Sequence, residues 1–186
     1  MSIYMVNKPH TWKRLFSTPK LRVLDFLLQH PDLELNDTEI TARIKGVERS
    51  AVNMSLRELA RMGLVERAAR GNMAMNRLIE SPFVHALKIA SNLMLVQDLV
   101  ERLKPQSSRI ILFGSRAMGD NTSESDSDLF VVSDEAAAVM KIARKFEHEE
   151  KLQIVVKSNA EWLSLPQDDG VLYETIRRGI LIWERS

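Results

Sequence analysis

The chain has 186 residues, 45% apolar and 27% charged, with a net charge of +1, which suits one soluble domain or two small ones with a real core. It contains no cysteine, so disulfides, thiolate catalysis and cysteine-ligated zinc are excluded and a reducing cytoplasm is the expected compartment. The charge is divided unevenly, +4 over residues 1–80 and −3 over residues 81–186, which predicts two domains with different partners.

At the N-terminus, Asn7, Lys8 and Pro9 interrupt any apolar run, so neither a signal peptide nor a membrane span is expected. Thr18 and Pro19 open a helix over 18–29, and Pro31 ends it. Asn36 or Asp37 can cap a second helix, with Glu39 near its start. Gly46-Val47 forms a tight turn. A third helix spans about 48–62, with Val52, Leu56 and Leu59 at helical spacing and Gly63 as a left-handed cap. Two short strands over 64–67 and 73–78 then flank a basic tip, 68–72. Ser81-Pro82 starts a helix to residue 103, read as a connector over 81–104 that could join the domains or support a homodimer. Residues 104–108 read as a linker. Beyond it come a strand over 109–113, a loop, a strand over 128–132 and a helix over 134–150 capped by Ser133. A strand over 152–157, a helix over about 171–178 and a strand over 180–183 complete the chain. The expected fold class is α+β, divided as 1–80, 81–104 and 105–186.

The segment 111–132, ILFGSRAMGDNTSESDSDLFVV, carries most of the chemistry. A buried strand ends in Gly114-Ser115, and a polar loop of ten residues, 116–125, follows. Asp126 and Asp128 then head a second apolar run. Residues i and i+2 of a strand point to one side, so both carboxylates can face one metal ion. Gly114 lets the backbone approach a phosphate without a side chain in the way. Ser115 offers a hydroxyl, and Arg116 can pair with a phosphate oxygen or brace the loop. Asp126 and Asp128 are hard oxygen ligands suited to Mg²⁺ or Mn²⁺. A Gly-Ser turn beside paired carboxylates is what metal-assisted phosphoryl or nucleotidyl transfer requires.

Gly114-Ser115, ten residues and Asp126-Ser127-Asp128, in the text LFGSRAMGD…SDSDLFV, resemble the signature of the DNA polymerase beta-like nucleotidyltransferases, in particular the small MNT-type domains. The resemblance implies a bound Mg–nucleoside triphosphate and transfer of a nucleoside monophosphate to a hydroxyl on a protein or small molecule. It also implies a third carboxylate on a later strand. In the strand over 152–157, Gln153 falls at that position, and a neutral amide can neither act as a base nor supply charge. Glu147, Glu149 and Glu150 lie just upstream and read more simply as the exposed end of a helix.

The stretch 36–78, with SLRELARMGLVERAARGNMAMNRL, is similar to the winged helix-turn-helix of MarR-like and ArsR-like regulators. That resemblance implies DNA binding, with the third helix in the major groove and the hairpin as wing. Arg49, Ser50, Asn53, Arg57 and Arg61 lie off the apolar stripe of that helix, and Arg67, Arg70, Asn72 and Arg77 lie on the wing. A protein-contact module with a solvated basic face is the other reading. Three functions stay open: a nucleotidyltransferase, a DNA-bound regulator that senses a nucleotide without turnover, and the antitoxin of an HEPN-type toxin, which MNT-type domains often accompany. His10, His30, His85 and His148 lack ligand spacing, so no zinc site is expected. Trp162, Tyr173 and Trp183 read as packing residues, and Asp168-Asp169 as a helix-start cap.

Overall fold

The computed structural model describes residues 17–146 and 151–185. His10, His148, Glu147, Glu149 and Glu150 lie outside the described residues. The chain divides into two compact units, Met1–Ile79 and Glu80–Ser186.

The first unit contains α1 (Pro19–Gln29), β1 (Leu35–Asn36), α2 (Asp37–Arg43), α3 (Arg49–Arg61), β2 (Val65–Arg70) and β3 (Met73–Leu78). Thr18 caps α1 by accepting from the Leu21 amide. Asn36, not Asp37, caps α2 in a reciprocal capping box with Glu39, which satisfies two otherwise orphaned amides. Gly63 takes φ +74° after α3, as the sequence predicts. The three strands form an antiparallel sheet in the order β1-β3-β2. The two-residue strand β1 is too short to show period-two alternation, so the sequence reading passed over it. Val52, Leu56 and Leu59 of α3 are buried, as are Val23, Leu24, Leu27 and Leu28 of α1, and the two helices pack together.

The second unit contains α4 (Pro82–Leu103), a 3₁₀ turn (Lys104–Gln106), β4 (Arg109–Phe113), α5 (Gly114–Met118), β5 (Ser127–Val132), α6 (Ala136–Ala143), β6 (Leu152–Lys157), α7 (Asn159–Asp168), α8 (Gly170–Arg177) and β7 (Ile180–Glu184). Its mixed sheet runs β6-β5-β4-β7, with β5 and β6 parallel and the other pairs antiparallel. Strict alternation sorts the central strands between two cores. Ile110, Leu112, Leu129 and Val131 pack with α4 and α6, through Val96, Leu99, Val100, Leu103 and Val139. Ile111, Phe113, Phe130 and Val132 pack with α7 and α8, through Trp162, Leu165, Tyr173 and Ile176.

Several expectations change here. The helix read as a connector lies inside the second unit and supplies four residues of its core. With the following turn it is also long and apolar enough, at mean hydropathy 1.2, to meet the length and composition criteria of a membrane span, while its Val96, Leu99, Val100 and Leu103 pack into the core. The ten-residue loop begins instead as the short helix α5, within Gly114–Met118. Ser133 does not cap α6, which starts three residues later; its hydroxyl accepts from the Glu135 amide in the preceding bend. The helix α7 is absent from the sequence reading, although Ser158 and Glu161 form its capping box. Pro166 near its end and only one buried residue, Leu165, weaken the periodic signal.

Candidate nucleotide and metal site

β4 delivers the chain to Gly114, whose φ of +71° turns the backbone sharply. An L-residue rarely adopts that angle. A second constraint is spatial. A Cβ at Gly114 would lie 2.2 Å from Asp128 Oδ2 and 3.0 Å from its Cγ. The close approach follows from the register, since Phe113 pairs with Asp128 across β4 and β5. The Gly114 turn and the Asp128 carboxylate are thus brought side by side.

Asp128 lies at the start of β5, on the sheet face that carries Phe130 and Val132. Asp126 precedes the strand and is exposed. Burial, together with the negative charge of Asp126, raises the Asp128 carboxyl above its ordinary value; the Arg116 guanidinium opposes that rise. A divalent cation held between the two carboxylates would remove this repulsion, so the donor set fits one hard cation. Ser127 points to the opposite face and is buried, its hydroxyl without a hydrogen bond among the described residues.

Asp128 pairs in parallel register with Gln153 on β6. The neighbouring pair Leu129 and Ile154 faces the other core, so Asp128 and Gln153 share a face. An amide therefore stands beside Asp128. Among the described residues, no group of three or more His, Asp or Glu side chains is gathered to hold a metal. Lys151, two residues before Gln153, pairs with Glu124, and that bond raises its ammonium above the ordinary value. Ser115 is half-buried at the start of α5.

Arg116, expected at a phosphate, is turned inward and is 5% exposed. Its Nη1 donates to Asn92 Oδ1 at 3.0 Å and its Nη2 to the Ser125 carbonyl at 3.0 Å. Asn92 Nδ2 in turn donates to the Arg116 carbonyl at 2.9 Å and to Asn121 Oδ1 at 2.8 Å. Of the two roles open to it in the sequence, the guanidinium takes the bracing one, tying α4 to both ends of the loop. Asn92 and Asn121 were missed. A lone Asn in the apolar run of α4 was the available signal, because a polar group there must find a partner.

In the first unit, Arg49, Ser50 and Arg57 are exposed along α3, with Asn53 half-buried between them. Together with Asp37, Met54, Glu58 and Arg61 they line an open depression of about 590 Å³. The residues of the β2–β3 hairpin behave differently from one another. Arg67 is withdrawn into a salt bridge with Asp37 at 2.7 Å, Arg77 pairs with Glu66 at 2.6 Å, and Arg70 pairs with Glu34 at 2.9 Å but stays 67% exposed. Asn72 is exposed at the tip. Asp37 is half-buried, and its partial burial pushes its carboxyl up; hydrogen bonds from Arg67, Asn76 and Asn53 and the Arg67 charge outweigh this and bring it to about 2.

The Gly114 turn, the β4–β5 register and the neighbouring aspartates form a candidate nucleotide and metal site in the second unit. Residues 97–186, just under half of the chain, match the family model "Polymerase beta, Nucleotidyltransferase". A solved structure from Sulfolobus solfataricus, of a protein whose name assigns it to the nucleotidyltransferases, is 21% identical. The alignment covers 54% of this chain and 87% of that one, with a TM-score of 0.38. No curated protein matches the chain.

Proposed function

We propose that the second unit binds a magnesium (or manganese) nucleoside triphosphate and that the first binds duplex DNA as a winged helix-turn-helix, so that a nucleotide site is tethered to a DNA reader. The observation that carries the first half is the contact between the Gly114 backbone and the Asp128 carboxylate. It sets the Asp128 carboxylate directly beside the Gly114 turn. Asp126 and Asp128 would hold the cation, which when bound supplies charge neutralisation for the triphosphate. Gly114, lacking a Cβ, leaves room for the Asp128 carboxylate beside the turn, and Ser115 offers a phosphate a hydroxyl donor. Arg116 keeps the loop that carries Asp126 in place through Ser125.

Binding is the stronger part of this reading, and transfer of a nucleoside monophosphate to a protein or small-molecule hydroxyl is the second. The family match favours transfer. Gln153 beside Asp128 weighs against it, since an amide cannot take the proton of an attacking hydroxyl. A role as antitoxin to an HEPN-type partner would use the same nucleotide site. Incubation with nucleoside triphosphate labelled at the α-phosphate, with Mg²⁺ and whole-cell extract as acceptor source, tests transfer. Label incorporation lost in an Asp126→Ala, Asp128→Ala double variant supports the enzyme; equal incorporation by that variant ends it. For the DNA reader, affinity for mixed duplex fragments should fall steeply between 50 and 200 mM salt, on the order of the 10³–10⁵-fold seen for proteins with several phosphate contacts; no binding at either salt removes it.

A further inference from the structure

On the α3 face the Asn53 side chain is fixed from beneath by the first residue of α2. Its Nδ2 donates to Asp37 Oδ2 at 2.5 Å. Asp37 is itself clamped, accepting from Arg67 Nη1 and Nη2 at 2.7 and 2.8 Å and from Asn76 Nδ2 at 3.0 Å. An ionised carboxylate only accepts, so the amino end of the Asn53 amide must face Asp37 and the amide cannot flip. Asn53 makes no other hydrogen bond to a described residue. One N–H and the carbonyl oxygen remain for a ligand on a side chain whose rotation is already restrained.

The surroundings favour a polyanion. Arg49 and Arg57 are exposed on the same face, a turn to either side of Asn53, and Arg61 follows. Both carboxylates in the depression are already neutralised, Asp37 by Arg67 and Glu58 by Lys20 at 2.7 Å. Three arginines therefore set the charge of this face, and they surround a planar group with one donor and one acceptor. In the major groove only adenine offers the complement on a single base, an N7 acceptor beside an N6 amino donor; guanine presents two acceptors and cytosine a donor alone.

We propose that Asn53 is the specificity-determining residue of α3 and reads one adenine in the major groove of duplex DNA. The inference rests on the DNA-binding role proposed above. Its test uses the full chain. Duplexes bound by the wild type are selected from a randomised library, and each adenine of the selected site is replaced in turn by 7-deazaadenine, which lacks N7. One replacement should weaken the wild type by roughly tenfold, the scale of a lost base contact. The same replacement should change binding by Asn53→Ala less than about twofold, by the same comparison. Absence of any penalised adenine, or an equal penalty in Asn53→Ala, overturns the assignment of Asn53 while leaving DNA binding intact. Failure of the wild type to enrich any duplex overturns the DNA-binding role itself, and this assignment with it. If Asn53→Ala melts below the assay temperature, Asn53→Ser, which keeps a short polar side chain but cannot span N6 and N7, replaces it with the same expectation.

Discussion

Asp128 and Gln153 lie side by side on parallel strands, paired Cα to Cα and on one face of the sheet. A carboxylate at Gln153 would join Asp126 and Asp128 directly. Gln153→Asp should therefore tighten Mn²⁺ binding by about tenfold, ~1.4 kcal/mol, because cation affinity rises with the charge of the ligand set. Isothermal calorimetry checks this; an unchanged affinity would mean that position 153 does not reach the cation.

Gly114→Ala meets two obstacles, a positive φ and an Asp128 oxygen 2.2 Å from the new Cβ. Backbone strain of this kind costs about 1–3 kcal/mol, and the clash must also displace Asp128. Thermal melting should show a clear loss of stability, and nucleotide affinity should fall further than stability alone explains. Wild-type affinity in a folded Gly114→Ala variant would contradict the site geometry.

The guanidinium of Arg116 is buried and bonded to Asn92 and Ser125. Its removal strands buried acceptors and costs about 2–4 kcal/mol. Asn92→Ala, which breaks the same network from α4, should cost a similar amount, and the double variant should cost less than the sum. Chemical denaturation of the three variants measures this. Strict additivity would show that the residues act separately.

The first unit has an acid-sensitive link at Asp37. Its carboxyl lies at about 2 when folded against an ordinary 3.8. A depressed folded value means that the stabilisation is fully present above the unfolded pKa and is lost as pH falls through the folded one. By linkage the contribution is about 2 kcal/mol at neutral pH. It should fade from about pH 5 and vanish near pH 2. Asp37→Asn should lower stability at pH 7 and flatten this acid dependence; a variant as acid-sensitive as the wild type would place the link elsewhere.

Most elements were legible because their signals are local. Strands β4 and β6 were bounded correctly by their apolar runs, and the Gly-Ser turn and the Asp pair stood at a spacing that two adjacent strands impose. What escaped were features set by tertiary partners. Arg116 and the exposed arginines look alike in sequence, and only the buried Asn92 and Asn121 decide which way Arg116 turns. Arg67 lies on the hairpin, as the sequence predicts, but a carboxylate 30 residues away holds its side chain half-buried. Helix α7 buries only Leu165, too little to impose a helical period on its sequence.

The central claim is that Asp126 and Asp128 hold a cation against a nucleotide bound at the Gly114 turn. Crystals grown with Mn²⁺ and a non-hydrolysable nucleoside triphosphate test it most directly through the anomalous signal of manganese. The account predicts a single anomalous peak shared by the two carboxylates, with the triphosphate at Gly114 and Ser115 and no second peak at Gln153. Manganese located away from both aspartates, or a nucleotide bound with neither aspartate near its cation, would contradict it.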